Sequence, residues 1–333
     1  DFITNHKKEN IMLINKTYAN NIVELFIDGQ NVTPSYNHTF LKKGEHNILM
    51  SLKHTGLTSG KMMFSNLTHL ISINFTSDFG KINMKNMSGM FNNCFNLKSI
   101  ELSYLKTDDV KDFSFMFYKC TSLESLNLSN FNTQKVLNIS YMFSNCKSLK
   151  EISLKSFATN NVKDMTGLFY GCSSLPIIDL SKFNTQNSVN MSYMFAGCSE
   201  LKSINISSFD TKKVKDLSYM FNNCSSLKAI DLSKMNTQNV SYMDGMFMGC
   251  SSLQSADLSK FITKNIKTAN KMFYGCISLK NLDISSFVNI PWNKKNKLFD
   301  EKISKDGTIK INKKFLHKTE NNIPKHWKKI VVK

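Results

Sequence analysis

The sequence predicts an α/β solenoid, one short unit stacked on copies of itself, and three observations carry the prediction. Cys94, Cys120, Cys146, Cys172, Cys198, Cys224, Cys250 and Cys276 follow one another at 26 residues and are the only cysteines in the 333-residue chain. A phenylalanine stands three residues before each of them, from Phe91 and Phe117 to Phe273. Within every unit the apolar period switches from two to 3.6. A fixed period of this length means that each unit buries its apolar face only against its neighbours.

The copy that begins at Cys224 justifies each element in order. Leu227, Ile230 and Leu232 alternate with Ala229, Asp231 and Ser233, which is the pattern of a half-buried strand. The same apolar set recurs as Leu97, Ile100, Leu102 and as Leu123, Leu126, Leu128. Met243, Met246 and Phe247 then fall on one stripe of a short helical turn. Ser114, Ser140, Thr166, Ser192, Ser218, Asp244 and Asn270 mark its start as side chains able to cap free N–H groups. Its end is marked one residue before the cysteine, where Gly or Asn stands in seven of eight copies, Lys119 being the exception; a left-handed corner favours those types. The expected product is a solenoid with a parallel β ribbon on one side and short helical turns on the other.

These residues carry a resemblance. The L-x-x-I-x-L segment resembles the strand of a leucine-rich repeat, and the whole unit resembles the BspA-like surface-protein type, M-F-x-x-C-x-x-L-x-x-L-D-L-S-x-F-x-T. The resemblance covers about Met62 to Phe287, with Leu67 in place of the cysteine in a first, 27-residue copy. It implies a leucine-rich-repeat solenoid and a role in adhesion or host-surface contact.

Three segments follow. Residues 1–61 read as a β-rich N-terminal cap, with strands at Val23–Ile27 and Ile48–Leu52 and turns at Asp28-Gly29 and Lys43-Gly44. Residues 62–287 form the repeat array, and residues 288–333, which hold both Trp292 and Trp327, read as a C-terminal cap because the period breaks there.

Composition narrows the function classes. The net charge of +18 rests on lysine alone, since the chain contains no arginine. Specific nucleic-acid recognition draws on arginine forks, so that class is disfavoured. The apolar runs are too short to cross a membrane. No secretory signal is visible at Asp1, as expected of a processed or trimmed start. No C-x-x-C pair suggests zinc, and all seven histidines lie outside residues 70–316, so neither a metal site nor a Cys-His dyad is expected in the repeats. Neither cofactor nor enzymatic activity is expected. The cysteines read as free, buried, small hydrophobes, because in a ladder each inner thiol has two equivalent neighbours and no pairing rule.

The outward strand positions form the candidate functional surface. Their central column is Glu101, Asn127, Ser153, Asp179, Asn205, Asp231, Asp257 and Asp283, flanked by a serine-rich column from Ser103 to Ser285. Read functionally, this is a concave binding face for a protein or glycan ligand; read structurally, it is a solvated strand face of small polar residues. A threonine column, Thr107, Thr133, Thr159, Thr185, Thr211, Thr237 and Thr263, admits a water-ordering surface, but local bonding of each hydroxyl at its turn explains it more simply. The expectation is a non-enzymatic, extracellular or cell-surface adhesion module, with a scaffold that meets acidic partners through its lysines as the alternative.

Overall fold

A computed structural model describes residues 1–4, 8–288, 298–319 and 323–332. The chain forms two compact units, Asp1–Phe157 and Ala158–Lys333. Trp292 lies outside the described residues.

The first unit opens with seven short antiparallel strands: β1 (Phe2–Thr4), β2 (Glu9–Met12), β3 (Ile22–Ile27), β4 (Gln30–Val32), β5 (Asn37–Phe40), β6 (Gly44–His46) and β7 (Ile48–Leu52). Both strands read from the sequence are present, as β3 and β7, and they pair with each other. Between β3 and β4 the chain reverses at Asp28 and Gly29, whose φ values of 50° and 79° are those of the tight hairpin turn that Asp-Gly favours. This layer is stitched to the first coil by backbone bonds from Ile3 N–H to the His69 carbonyl at 2.9 Å and from Asn15 N–H to the Met63 carbonyl at 2.8 Å. Beyond it come β8 (Ser72–Asn74), β9 (Ser99–Glu101), β10 (Ser125–Asn127) and β11 (Glu151–Ser153), with β8 parallel to β9 and β10 parallel to β11. The pairing of Leu126 with Ile152 is the 26-residue period written in space.

The second unit carries β12 (Ser255–Asp257), β13 (Asn281–Ile284), β14 (Thr308–Asn312) and β15 (Lys328–Val332), all parallel and hydrogen-bonded in that order. A seven-residue helix, α1 (Lys313–Thr319), follows β14. Three coils differ from expectation: at residues 177–181, 203–207 and 229–233 the inward Leu and Ile side chains are buried or half-buried, but no ladder strand forms. Pro176, which has no N–H to give, accounts for part of this at the first of them.

The core is a set of columns running from coil to coil. In the second unit Phe169, Phe195, Phe221, Phe247 and Phe273 stack with centroids 5.4 to 5.9 Å apart and planes within 11° of parallel. Phe299 extends the stack at 6.0 Å and Trp327 closes it at 5.5 Å, so the column runs on into the segment read as the C-terminal cap. In the first unit Phe64, Phe91, Phe117 and Phe143 stack in the same way, at 5.5 to 6.0 Å. All eight cysteines are buried and outside any disulfide, and thiols of the second unit point down the column: Cys224 Sγ donates to the Phe195 carbonyl at 3.1 Å and Cys250 Sγ to the Phe221 carbonyl at 3.0 Å.

The expected helical turn takes another form. The corner residue before each cysteine is left-handed as the sequence demands, Lys119 included at φ 59°. A second left-handed residue sits four positions earlier, at Phe115, Tyr141, Tyr193 and Tyr219 and at Gly167 and Gly245, and an L-residue helix cannot run through such a point. The segment therefore turns without becoming a helix. Alternate N–H groups close three-residue turns, as from Met220 to the Leu217 carbonyl, while those between reach the next coil, as from Phe221 to the Met246 carbonyl at 2.9 Å. Backbone bonds thus tie the coils together on this side as well as along the strands.

The caps also differ from their reading. Ser114, Ser140, Thr166, Ser192 and Ser218 do not cap with their own hydroxyls; their backbone N–H groups are capped by the residue two before, Asp112, Asn138, Asp164, Asn190 and Asp216. The threonine column is buried, which removes the water-ordering surface, and its hydroxyls reach the neighbouring coil rather than their own turn. Among the described residues no helix is long and apolar enough to cross a membrane.

Candidate functional site

The strand face is built by one local device. A strand ends where its last outward side chain folds back, and a short polar side chain does so by accepting from the backbone N–H two residues ahead. In the first unit Glu101 accepts from Ser103 N–H at 2.8 Å and Asn127 from Ser129 at 3.0 Å. In the second unit Asp179, Asn205, Asp231, Asp257 and Asp283 accept from Ser181, Ser207, Ser233, Ser259 and Ser285 at 2.8 to 3.0 Å. Ser153, half-buried in β11, pairs through its backbone, its carbonyl accepting from Leu128 N–H at 3.2 Å. The serine beside each acid therefore supplies the donor that holds it.

Electrostatics follow from those bonds. The backbone N–H of Ser233 holds the Asp231 carboxyl below its usual range, and Ser103 does the same for Glu101. Asp283 is more buried, which pushes it up, but hydrogen bonds from Ser285 and Lys310 outweigh that and leave it lowered. The Lys310 ammonium lies 3.2 Å from its carboxylate. Beside this pair a recess of about 300 Å³ is lined by Asp257, Asn281, Asp283, Thr308 and Lys310.

The face thus presents fixed acceptors. Only Oδ1 is used by each turn in Asp231 and Asp257, so each offers its second carboxylate oxygen to solvent in a fixed position. Among the described residues no group of three or more His, Cys, Asp or Glu side chains could hold a metal ion. The structure places Asp231, Asp257 and Asp283 in successive coils of the second unit, and Glu101 and Asn127 in successive coils of the first. Two features escaped the sequence reading. One is that the acid column shapes the chain, which the recurring Asx-x-Ser spacing could have revealed. The other is the aromatic population of the turn segments, Tyr170, Tyr193, Tyr219, Tyr242 and Tyr274 in the second unit.

With the repeats and their registers established, the family can be assigned. A family profile described as Mycoplasma protein of unknown function, DUF285, matches residues 58–176, 150–229 and 202–311, the whole repeat array and more than half of the chain. The chain belongs to this DUF285 family. Solved structures similar to the DUF285 chain include a leucine-rich repeat protein from Bacteroides ovatus, 19% identical, covering 91% of this chain and 90% of the other with a TM-score of 0.33. A leucine-rich cell surface protein from Faecalibacterium prausnitzii is 18% identical over 80% of this chain and 79% of the other, with a TM-score of 0.40. The pneumococcal vaccine antigen PcpA is 14% identical over 79% and 68%, with a TM-score of 0.36. A comparison with curated proteins finds no match to the DUF285 chain.

Proposed function

We propose that this protein is a non-enzymatic adhesion module displayed outside the cell, which engages a protein or glycan through the strand face of its repeats. The observation that carries the reading is the locked polar column. A side chain already fixed by a backbone bond loses little rotamer freedom on binding, and that preorganisation is what converts a shallow face into a recognition surface. Repetition supports the same reading, since coils in register offer the same acceptor at each step to an extended ligand. Asp231 and Glu101 are both exposed and held low, and Asp283, whose surroundings differ, is also lowered, which argues against catalysis because a general acid needs a carboxyl raised towards neutral pH.

The turn geometry dictates the experiment. Asn127 and Asn205 already make the same turn as the aspartates, so Asp179→Asn, Asp231→Asn and Asp257→Asn together remove charge while keeping the fold. Immobilised wild-type and triple-variant protein are compared for capture from a native cell-surface extract. The proposal expects a defined set of captured species that the triple variant loses; an identical set on both surfaces rejects the strand-face site.

A further inference from the structure

We infer that the turn side of the second unit is a binding surface for a linear polyanionic glycan, one carrying a carboxylate or sulfate on every second sugar. Five of the chain's ten tyrosines, Tyr170, Tyr193, Tyr219, Tyr242 and Tyr274, stand in the turn segments of this unit. Tyr170, Tyr242 and Tyr274 are 38 to 40% exposed, whereas a core role would have buried them as it buries the phenylalanines. Tyr193 and Tyr219 stack face to face at 4.8 Å, 14° from parallel, and Tyr170 meets Tyr193 edge-on at 6.2 Å. Rings stacked in this way offer edges and hydroxyls rather than faces. Gly245 makes room for the stack: at φ 54° it sits under Tyr219, where an added Cβ would lie 2.5 Å from the ring.

A lysine row borders the tyrosines. Lys163, Val189, Lys215, Ser241 and Lys267 occupy one position in successive coils, joined by backbone bonds from Val189 to Lys163, Lys215 to Val189, Ser241 to Lys215 and Lys267 to Ser241, all 2.7 to 2.9 Å. All three lysines are exposed, and Lys267 Nζ lies 5.7 Å from the Tyr242 ring centre. Coils joined by one bond each advance by about 4.8 Å, so the ammonium groups recur every two coils, roughly 10 Å. A pyranose advances a glycan chain by about one coil spacing, so two rings match one lysine interval. Nucleic acid fits less well, with a charge about every 3.4 Å along a duplex strand and no arginine here to fork onto phosphate. Asp164 and Asp216 of the neighbouring column are half-buried and turned to the Thr166 and Ser218 N–H groups, and among the described residues neither forms an ion pair with Lys163, Lys215 or Lys267.

The test uses the full chain and immobilised heparin as the probe. Wild type is expected to bind in a salt-dependent manner, and Lys163→Gln, Lys215→Gln and Lys267→Gln together to weaken binding about ten-fold or more. The strand-side set Lys202→Gln, Lys228→Gln and Lys280→Gln removes the same charge and is expected to change affinity less than about two-fold. Equal losses from the two sets overturn the site in favour of net charge alone. Tyr193→Phe with Tyr219→Phe keeps the stack and removes its hydroxyls; unchanged heparin affinity overturns the role given to the tyrosines. Single-stranded DNA bound as tightly as heparin, and lost with the same lysines, overturns the glycan assignment. Asp179→Asn, Asp231→Asn and Asp257→Asn leave heparin binding intact, so this surface and the strand face fail separately.

Discussion

Thr211 clamps Asn236 of the next coil from both ends of one hydroxyl: its Oγ1 donates to the Asn236 carbonyl at 2.9 Å and accepts from the Asn236 N–H at 2.8 Å. Thr159 holds Asn184 in the same way, at 2.8 Å in each direction. A side chain that satisfies a donor and an acceptor in its neighbour is a coil-to-coil bond, and its burial excludes water from replacing it.

Thr211→Val keeps the shape and removes the hydroxyl, leaving two backbone groups of Asn236 without a partner. The expected loss is about 1–3 kcal/mol, with Thr211→Ser recovering most of it. Urea unfolding midpoints for the three proteins are the measurement, and a valine variant as stable as wild type would show that the clamp contributes nothing.

That clamp also shows where sequence reading stops. The period, the strand and the left-handed corner were legible because each is set by side-chain type at one position: Leu227, Ile230 and Leu232 alternate, and Gly or Asn precedes the cysteine. What the threonine does depends on which backbone faces it across the coil interface, and that is a property of stacking. The left-handed Tyr193 and Tyr219 were hidden for a related reason. Their conformation is imposed by inter-coil bonds such as Tyr219 N–H to the Asp244 carbonyl, against their own preference. The strand-face residues were legible as a surface but not as turn formers, although Asp231 and Ser233 stand two apart like every other pair in the column. Phe299 was within reach, since it lies 26 residues after Phe273, but Lys302 stands where the ninth cysteine would fall and masks the repeat.

Phe221 is fully buried, 5.4 Å from Phe195 and 5.7 Å from Phe247. Removing its ring opens the stack on both sides at once. Phe221→Ala is expected to cost about 3–5 kcal/mol, and the exposed Lys228→Ala to stay within about 0.5 kcal/mol. Equal shifts in thermal or denaturant midpoint would contradict the packing.

The thiols make stability fall in alkali. Burial pushes Cys146 and Cys198 up to about 12, and Cys224 well above its ordinary value. An unfolded cysteine ionises near 8.5, so between about 8.5 and 12 the unfolded chain binds fewer protons than the folded one, and stability declines as pH rises. Each such thiol removes up to about 1.4 kcal/mol per pH unit in that window and nothing below it. Urea midpoints are expected to be level from pH 7 to 8 and to drop steeply above about 9, less steeply for Cys224→Ala. A thiol reagent at pH 7.5 should find almost no reactive group in the native protein and all eight after denaturation without reductant. Reaction of the native thiols, or a midpoint flat through pH 10, would refute their burial.

The strand-face turn can be separated from its charge at a single residue. Asp231 is exposed, and its Oδ1 accepts from Ser233 N–H at 2.9 Å, the bond that Asn205 makes to Ser207 at 3.0 Å. Asp231→Asn keeps an acceptor in the same place and should leave the unfolding midpoint where it is at pH 7, whereas Asp231→Ala should lower it. The aspartate also ties that contribution to pH. Its carboxyl is held below the usual range, so the stability it lends is present above about pH 4 and disappears as pH falls through its lowered folded value, while the asparagine turn does not titrate. Midpoints for the three proteins between pH 7 and 3 test this directly. Wild type and Asp231→Asn should coincide at pH 7 and separate in acid, with wild type falling below the asparagine variant, and the alanine variant should be lowest at neutral pH. If alanine is tolerated as well as asparagine at every pH, the column takes no part in turning the chain, and the polar face is left to binding alone.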